Sequence, residues 1–269
     1  MTEEPRQIGF EHLDRQEQAA CLIAARSLGA VEVEAWDVPG RSGAVDAMLT
    51  LPDGRRAAFE VTNLGTNSAF ELAGRLARDN YKWSVPGNWF WHIEVGSPED
   101  LRRLKGCYEN IILTCERAGE PYPEKLAERS TDPDVQWLVH ESSSVMTGYP
   151  NIDKRWAMVT PVGGGGVVDE SLSGFAAALA TAFTNPNIVS HFDKLANAEA
   201  DERHLYIPLH DSGLPFPIFT ELVFADTLPP DPPTLPEHVT CLWLAPAASR
   251  RVLVWSRAAG WRNVPSRSE

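Results

Sequence analysis

Two carboxylates, Asp46 and Glu60, lie in two predicted strands that are joined by a turn at residues 52–54 (PDG). Because side chains alternate along a strand, two paired strands can place both carboxylates on one face of a sheet. Glu60 stands between Phe59 and Val61 in a largely apolar run, where an unpaired charge is costly. Neighbouring carboxylate oxygens suit Mg²⁺ or Mn²⁺, and water kept on such an ion can do chemistry. The pair therefore predicts a divalent-metal site.

The elements that would position this pair alternate between strands and helices. Hydrophobic periodicity predicts helices at residues 10–28, 67–81 and 98–119. Runs of apolar and β-branched residues predict strands at residues 31–36, 44–51, 55–62, 88–95, about 135–139 and 155–161. The two acidic strands form a hairpin, so we expect an α/β fold with a mixed central sheet and helices on both faces.

Four consecutive glycines, Gly163 to Gly166, form the clearest break in the sequence. Beyond them the pattern predicts helices at 171–183, 187–198 and 215–224, and strands at 203–209, 240–245 and 251–256. A glycine run is typical of a flexible linker or of a hairpin tip. We therefore predict two parts, residues 1–162 and residues 167–269, with the C-terminal α/β part packed on the first.

The segment GAVDAMLTLPDGRRAAFEVT, residues 43–62, resembles the PD-(D/E)xK motif of the restriction-endonuclease-like nucleases. The resemblance extends over roughly residues 10–95 and implies a restriction-endonuclease-like core within residues 1–162. It implies that Asp46 and Glu60 bind the metal and that the main-chain carbonyl of Val61 faces it. Archaeal Holliday-junction resolvases and Mrr-like enzymes add a glutamate on the first helix, and Glu17 looks like that residue. The resemblance therefore implies that Glu17 supports the metal or its water.

The chain departs from the motif at Thr62, which stands where the family carries a catalytic lysine. A threonine hydroxyl cannot offer positive charge to a hydroxide or to a phosphorane. In this family a lysine from elsewhere, often from the next helix, can take over the role. The resemblance therefore favours Lys82 as the substitute, with Arg75 and Arg78 as the next candidates.

The balance of charge limits how the protein could contact nucleic acid. With 24 Lys and Arg against 37 Asp and Glu, the formal net charge is −13, and proteins that bind many phosphates normally present a basic face. We expect any DNA contact to be local, bridged by metal ions or supplied by a protein partner. No apolar run is long enough to span a bilayer, and the acidic N-terminus does not resemble a signal peptide, which predicts a cytoplasmic protein.

These observations lead to one principal functional hypothesis and two alternatives. The principal hypothesis is a Mg²⁺-dependent endonuclease that hydrolyses phosphodiester bonds in DNA through Asp46, Glu60, Lys82 and the position of Thr62. The first alternative is a nuclease-like fold that has lost catalysis and serves as an interaction or regulatory protein, which Thr62 and the acidic charge favour. The second is an α/β binding protein in which Asp46 and Glu60 are structural.

Overall fold

The protein forms two compact units in a computed structural model that describes residues 4–152, 154–163, 168–247 and 249–266. Unit 1 consists of Met1–Gly65 together with Gly165–Glu269, and unit 2 is the continuous segment Thr66–Gly164. This division differs from the predicted parts, 1–162 and 167–269, because strands from both ends of the chain join one sheet. The predicted linker residues Gly164 to Gly166 lie outside the described residues.

The described residues contain strands and helices in regular alternation over much of the chain. The strands are β1 (Arg6–Ile8), β2 (Glu32–Ala35), β3 (Ala47–Thr50), β4 (Arg56–Val61), β5 (Lys82–Ser84), β6 (Phe90–Val95), β7 (Val145–Tyr149), β8 (Trp156–Pro161), β9 (Glu202–Leu209), β10 (Cys241–Pro246), β11 (Arg251–Ser256) and β12 (Gly260–Pro265). The helices are α1 (Arg15–Leu28), α2 (Asn67–Arg78), α3 (Pro98–Ala118), α4 (Pro123–Ala127), α5 (Pro133–His140), α6 (Phe175–Ala182), α7 (Pro186–Asn197) and α8 (Phe216–Phe224).

Unit 1 is built on a mixed sheet, whose described strands run in the order β1-β2-β3-β4-β9-β10-β11-β12. The pairs β2–β3 and β3–β4 are antiparallel, whereas β4–β9 and β9–β10 are parallel. Buried residues of α1 pack on one face of the sheet, and those of α6, α7 and α8 pack on the other. The expected mixed α/β fold with a large sheet between helices is therefore confirmed.

The predicted hairpin is also confirmed, and its register explains where Glu60 points. Ala47 lies opposite Phe59 in the β3–β4 ladder, and Gly54 in the connecting turn adopts a positive φ of 86°, which favours glycine. Phe59 packs in the core beneath α1, whereas Ala58 packs in the core beneath α7. Since alternate residues of a strand share a face, Glu60 points to the same side as Ala58, toward α7.

Unit 2 is organised around a smaller sheet with the described strand order β5-β8-β6-β7. Residues of α3, α4 and α5 share its hydrophobic core, in which Trp91 is fully buried. The strand predicted at 135–139 is wrong, because this segment belongs to helix α5. The Asp132 carboxylate accepts hydrogen bonds from the first free amides of α5, and Pro133 occupies the first turn, both of which favour a helix start.

In the ranges that the structure describes, no helix combines the length and the apolar character that crossing a membrane demands.

Candidate functional site

The candidate site is centred on Asp46 and Glu60, which are joined through each other's main chain. The amide nitrogen of Asp46 donates to Oε2 of Glu60 at 3.1 Å, and the amide nitrogen of Val61 donates to Oδ2 of Asp46 at 2.7 Å. Asp46 is 7% exposed and Glu60 is completely buried. The hairpin therefore brings the two predicted acids together and fixes both carboxylates against the backbone.

Helix α7 supplies two further groups that contact Glu60. Nζ of Lys194 lies 2.9 Å from Oε1 of Glu60, and Nδ1 of His191 contacts the same oxygen. Asn185 caps the helix and Pro186 occupies its first turn, which defines where α7 starts. His191 and Lys194 are three residues apart, so both side chains can reach one side of the helix.

The third contact of α7 involves Thr62, the residue at the motif's lysine position. Its side chain is 4% exposed, and its Oγ1 accepts a hydrogen bond from Nδ2 of Asn187 at 3.3 Å. Asn187 and Lys194 are two helical turns apart, so they lie on a common side of α7. The threonine thus bonds to the same helix that brings an ammonium to Glu60.

The pKa values of Asp46 and Lys194 reflect their burial and the charges beside them. Burial raises the pKa of Asp46, and the negative charge of Glu60 raises it further, to about 8, although the Val61 amide partly offsets both effects. Burial alone would lower the pKa of Lys194, but its hydrogen bond and charge interaction with Glu60, helped by Asp46, leave that pKa raised. Lys194 therefore provides a positive charge beside Asp46 and Glu60.

Glu17, the predicted third acid, has a structural task at the start of α1. Its Oε2 accepts a hydrogen bond from the Asp14 amide at 2.7 Å, while Oδ1 of Asp14 accepts one from the Glu17 amide at 2.8 Å, which together form a capping box. Burial raises the pKa of Glu17, and Glu60 contributes to the same effect. Glu17 is thus within electrostatic reach of Glu60 while one of its oxygens caps the helix.

The cations predicted to replace the motif lysine have other positions. Lys82 begins β5 in unit 2, where its Nζ lies 4.1 Å from the centroid of the Trp156 ring. Arg75 pairs with Glu71 at 2.6 Å in α2, and Arg78 occupies the last turn of that helix. The cation that contacts Glu60 is Lys194.

Sequence reasoning therefore missed Lys194 and His191. The helix that carries them was predicted at 187–198, but nothing local indicates that it packs over Glu60. One available signal is that Lys194 is the only lysine after Lys154 in the sequence. Helix α7 has an apolar side at Ile188 and Leu195. An isolated lysine on such a helix is a candidate partner for a buried acid.

The carboxylate oxygens of Asp46 and Glu60 are the atoms of the site that could bind a divalent cation. Oδ1 of Asp46 accepts no hydrogen bond from any described residue, so one oxygen of this acid can take a ligand, and Oε2 of Glu60 keeps a second lone pair. No group of three or more His, Cys, Asp or Glu side chains in the described ranges has the arrangement of a metal site. Two carboxylates nonetheless suit Mg²⁺, which usually keeps several waters and binds phosphate oxygens.

Comparisons with protein-family models, with curated proteins and with solved structures found no match to this chain. The function must therefore be argued from the residues of the site. These residues are two coupled acids with at least one open oxygen, a lysine beside the second acid, and a histidine that shares its contact. This combination can hold a hard cation and stabilise negative charge that develops nearby.

Proposed function

We propose that the protein is a metal-dependent phosphodiester hydrolase of the PD-(D/E)xK type that acts on DNA. The observation that carries this proposal is the position of Lys194, whose Nζ lies 2.9 Å from Oε1 of Glu60. The motif lysine is absent at Thr62, but an ammonium reaches the second acid from α7. The chain thus has the two acids and the cation that this chemistry requires, with the cation drawn from a different element.

The order of the helices and strands in unit 1 also supports the proposal. A helix, α1, packs on the sheet beside the acidic hairpin β3–β4, and a parallel strand, β9, follows on the other side of β4. This order is consistent with a restriction-endonuclease-like core in which unit 2 is an insertion after β4. We therefore propose a restriction-endonuclease-like fold for unit 1.

Each residue has a role that follows from its contacts. Asp46 and Glu60 would hold Mg²⁺ or Mn²⁺, with the carbonyl of Val61 as a further oxygen donor. The metal, when bound, supplies Lewis-acid activation of water and of a phosphoryl oxygen. Lys194 stabilises the negative charge that grows on the phosphoryl group in the transition state. His191 orients the Glu60 carboxylate, because it contacts the same oxygen as Lys194.

A second function is favoured by one specific observation. Oε1 of Glu60 already contacts both Lys194 and His191, so its charge is compensated within the protein. A nuclease-like scaffold that had lost catalysis would keep such a pair for stability, since a buried carboxylate without a partner is strongly destabilising. This alternative describes an interaction or regulatory protein, in line with the net charge of −13.

A cleavage assay with matched variants tests the proposal. Protein freed of metal with EDTA is given Mg²⁺ or Mn²⁺ with supercoiled plasmid, linear duplex and single-stranded DNA. We expect metal-dependent cleavage that falls by about a hundredfold or more in Asp46→Asn and Glu60→Gln. Asp53→Asn is the control, because Asp53 is an exposed carboxylate that pairs with Arg55 in the hairpin turn.

Two results would contradict the proposal. One is a wild-type protein that cleaves none of these substrates with either metal. The other is cleavage that persists unchanged in both Asp46→Asn and Glu60→Gln, which would trace the activity to a contaminant or to another site. Absence of cleavage in a folded wild-type protein would favour the scaffold alternative.

A further inference from the structure

A cavity of about 280 Å³ lies in unit 1 and reaches the side chain of Lys194. Its lining includes the buried side chains of Val45 and Met48 and the partly exposed Trp36 and Arg56. Lys194 therefore belongs both to this cavity and to the carboxylate site. Whatever occupies the cavity lies next to the ammonium that contacts Glu60.

Two residues that line the cavity, Trp36 and Arg56, contact each other. The guanidinium of Arg56 lies 4.7 Å from the centroid of the Trp36 ring, and that of Arg41, which does not line the cavity, lies 3.8 Å from it. Arg41 is also held by Glu34 at 3.2 Å. In the described part of the chain, the Arg56 side chain has no carboxylate partner. Arg56 is thus positioned by an aromatic ring, and its hydrogen-bond donors remain available.

The floor of the cavity has the opposite character. Val45 and Met48 are 1% and 3% exposed and belong to the hydrophobic core beneath α7. The lining also contains Asn197 and one acidic residue, Glu199. A lining that combines apolar residues with two cations, Arg56 and Lys194, suits a ligand that has a flat, weakly polar part and an anionic part. A nucleotide has both, since its base can pack on apolar side chains and its phosphate pairs with arginine or lysine.

We propose that this cavity receives one unpaired nucleotide of a DNA strand whose scissile phosphodiester lies at Lys194. This inference rests on the proposed nuclease function and gives it a substrate class. A volume of about 280 Å³ lies just below the range of pockets for drug-sized molecules, which is roughly 300–1,000 Å³. It therefore limits the occupant to one nucleotide and excludes a base pair. A base within a duplex would have to leave the stack to enter, which costs free energy that an already unpaired base does not pay.

Binding measured without metal separates this inference from the catalytic proposal. Fluorescence anisotropy in EDTA compares a short labelled single strand with the same sequence in a blunt duplex. We expect tighter binding of the single strand, and binding weakened by about tenfold in Arg56→Gln, because one phosphate or stacking contact is lost. Ala44→Trp should have a similar effect, since Ala44 lies on the cavity wall in a partly exposed loop and a larger side chain fills the space.

The control is Arg103→Gln in unit 2. Arg103 makes the same kind of contact, with its guanidinium 4.4 Å from the centroid of the Trp137 ring, but it does not line the cavity. Circular dichroism of each variant identifies any loss of fold. Should Ala44→Trp unfold, Arg56→Gln alone carries the test, because Arg56 is only partly buried.

The outcomes distinguish the two proposals. Metal-dependent cleavage without single-strand preference, or with full activity in Arg56→Gln and Ala44→Trp, would overturn the cavity inference and leave the nuclease proposal in place. Single-strand binding that depends on Arg56, without cleavage under any condition, would refute the nuclease and retain the cavity as a nucleotide site. Equal binding by wild type, Arg56→Gln and Ala44→Trp, or no binding at all, would also overturn the inference.

Discussion

Nζ of Lys194 lies 2.9 Å from Oε1 of Glu60, although the two residues come from opposite sides of unit 2 in the sequence. The contact joins helix α7 to strand β4 and gives the second acid of the site its cation. The first prediction tests the role of this cation.

Replacing Lys194 by methionine should reduce metal-dependent DNA cleavage by about a hundredfold, since a group that stabilises transition-state charge contributes on this scale. Lys194→Arg should retain part of the activity because the charge is preserved. Lys82→Met is the matched control, since Lys82 lies over Trp156 in unit 2. Single-turnover rates measure the effect, and a larger loss in Lys82→Met than in Lys194→Met would refute the assignment.

A lysine in place of Thr62 should restore part of the cleavage rate that the Lys194→Met variant loses. Thr62 directly follows β4, and its amide continues the pairing with β9 by donating to the carbonyl of Tyr206 at 2.9 Å. The side chains of Thr62 and Glu60, two residues apart in this extended segment, therefore share a face, and an ammonium at position 62 would extend beside Glu60. We expect Thr62→Lys with Lys194→Met to recover roughly tenfold of the lost rate, a partial gain because a preorganised geometry is not fully reproduced. Initial rates of plasmid nicking provide the measurement. A double variant that is folded and no faster than Lys194→Met would show that an ammonium at position 62 does not substitute for Lys194.

The stability of the metal-free protein should depend on pH through Asp46. Its pKa is about 8 in the folded state, above the value of about 3.9 expected for the unfolded chain. The folded state therefore holds a proton that the unfolded state has lost, and stability falls as pH rises through this interval. Asp46→Asn removes the effect, so the variant should gain on the order of 4 kcal/mol relative to wild type between about pH 5 and pH 9. Urea denaturation in EDTA checks this, and a difference independent of pH would contradict it.

Metal binding should show the reverse dependence on pH. A cation at Asp46 requires the ionised carboxylate, so protons compete with it at low pH. Mn²⁺ at roughly ten times its Kd should stabilise the fold by about 1.4 kcal/mol, and the shift in melting temperature should be larger near pH 8 than near pH 5. Glu60→Gln serves as the control and should show a smaller shift. An equal shift in wild type and Glu60→Gln would place the bound metal elsewhere.

Unit 2 offers a prediction that is independent of the site. A Cβ atom on Gly96 would lie 2.1 Å from Oγ of Ser143 and 2.7 Å from its main-chain oxygen, so Gly96→Ala must displace backbone. We expect a loss of stability of about 1–3 kcal/mol, typical of overpacking. Gly106→Ala is the control, because nothing lies within 4 Å of its added Cβ, and alanine in helix α3 should stabilise by up to about 1 kcal/mol. Denaturation curves of both variants provide the comparison, and equal stabilities would contradict the expected clash.

Elements that depend on neighbouring residues could be predicted from the sequence. The turn around Gly54 and the alternation on either side of it predict the β3–β4 hairpin, and with it the meeting of Asp46 and Glu60. The parallel pairing of β4 with β9 could not be predicted, because it joins segments separated by all of unit 2 and depends on a common hydrophobic core. Lys194 and His191 were missed for the same reason, since their role depends on the packing of α7 over β4.

The error at 135–139 has a different cause. Val135, Trp137 and Leu138 are all buried, and a short apolar run has the same appearance in a strand and in a buried helix. The deciding features are the Asp132 cap and Pro133 that precede it. Capping residues thus carried more information about this segment than its hydrophobic pattern.

The interrupted chain path of unit 1 has a consequence for synthesis on the ribosome. Unit 2 is continuous, so all of its strands have emerged before β9 is translated and it can reach its native contacts first. Strand β4 cannot pair with β9 until that later segment leaves the exit tunnel, and until then Glu60 is a carboxylate among apolar residues without the α7 groups that compensate it. The nascent chain therefore exposes an unpaired strand edge for the time needed to translate unit 2, α6, α7 and β9. An edge of this kind is a surface that molecular chaperones protect.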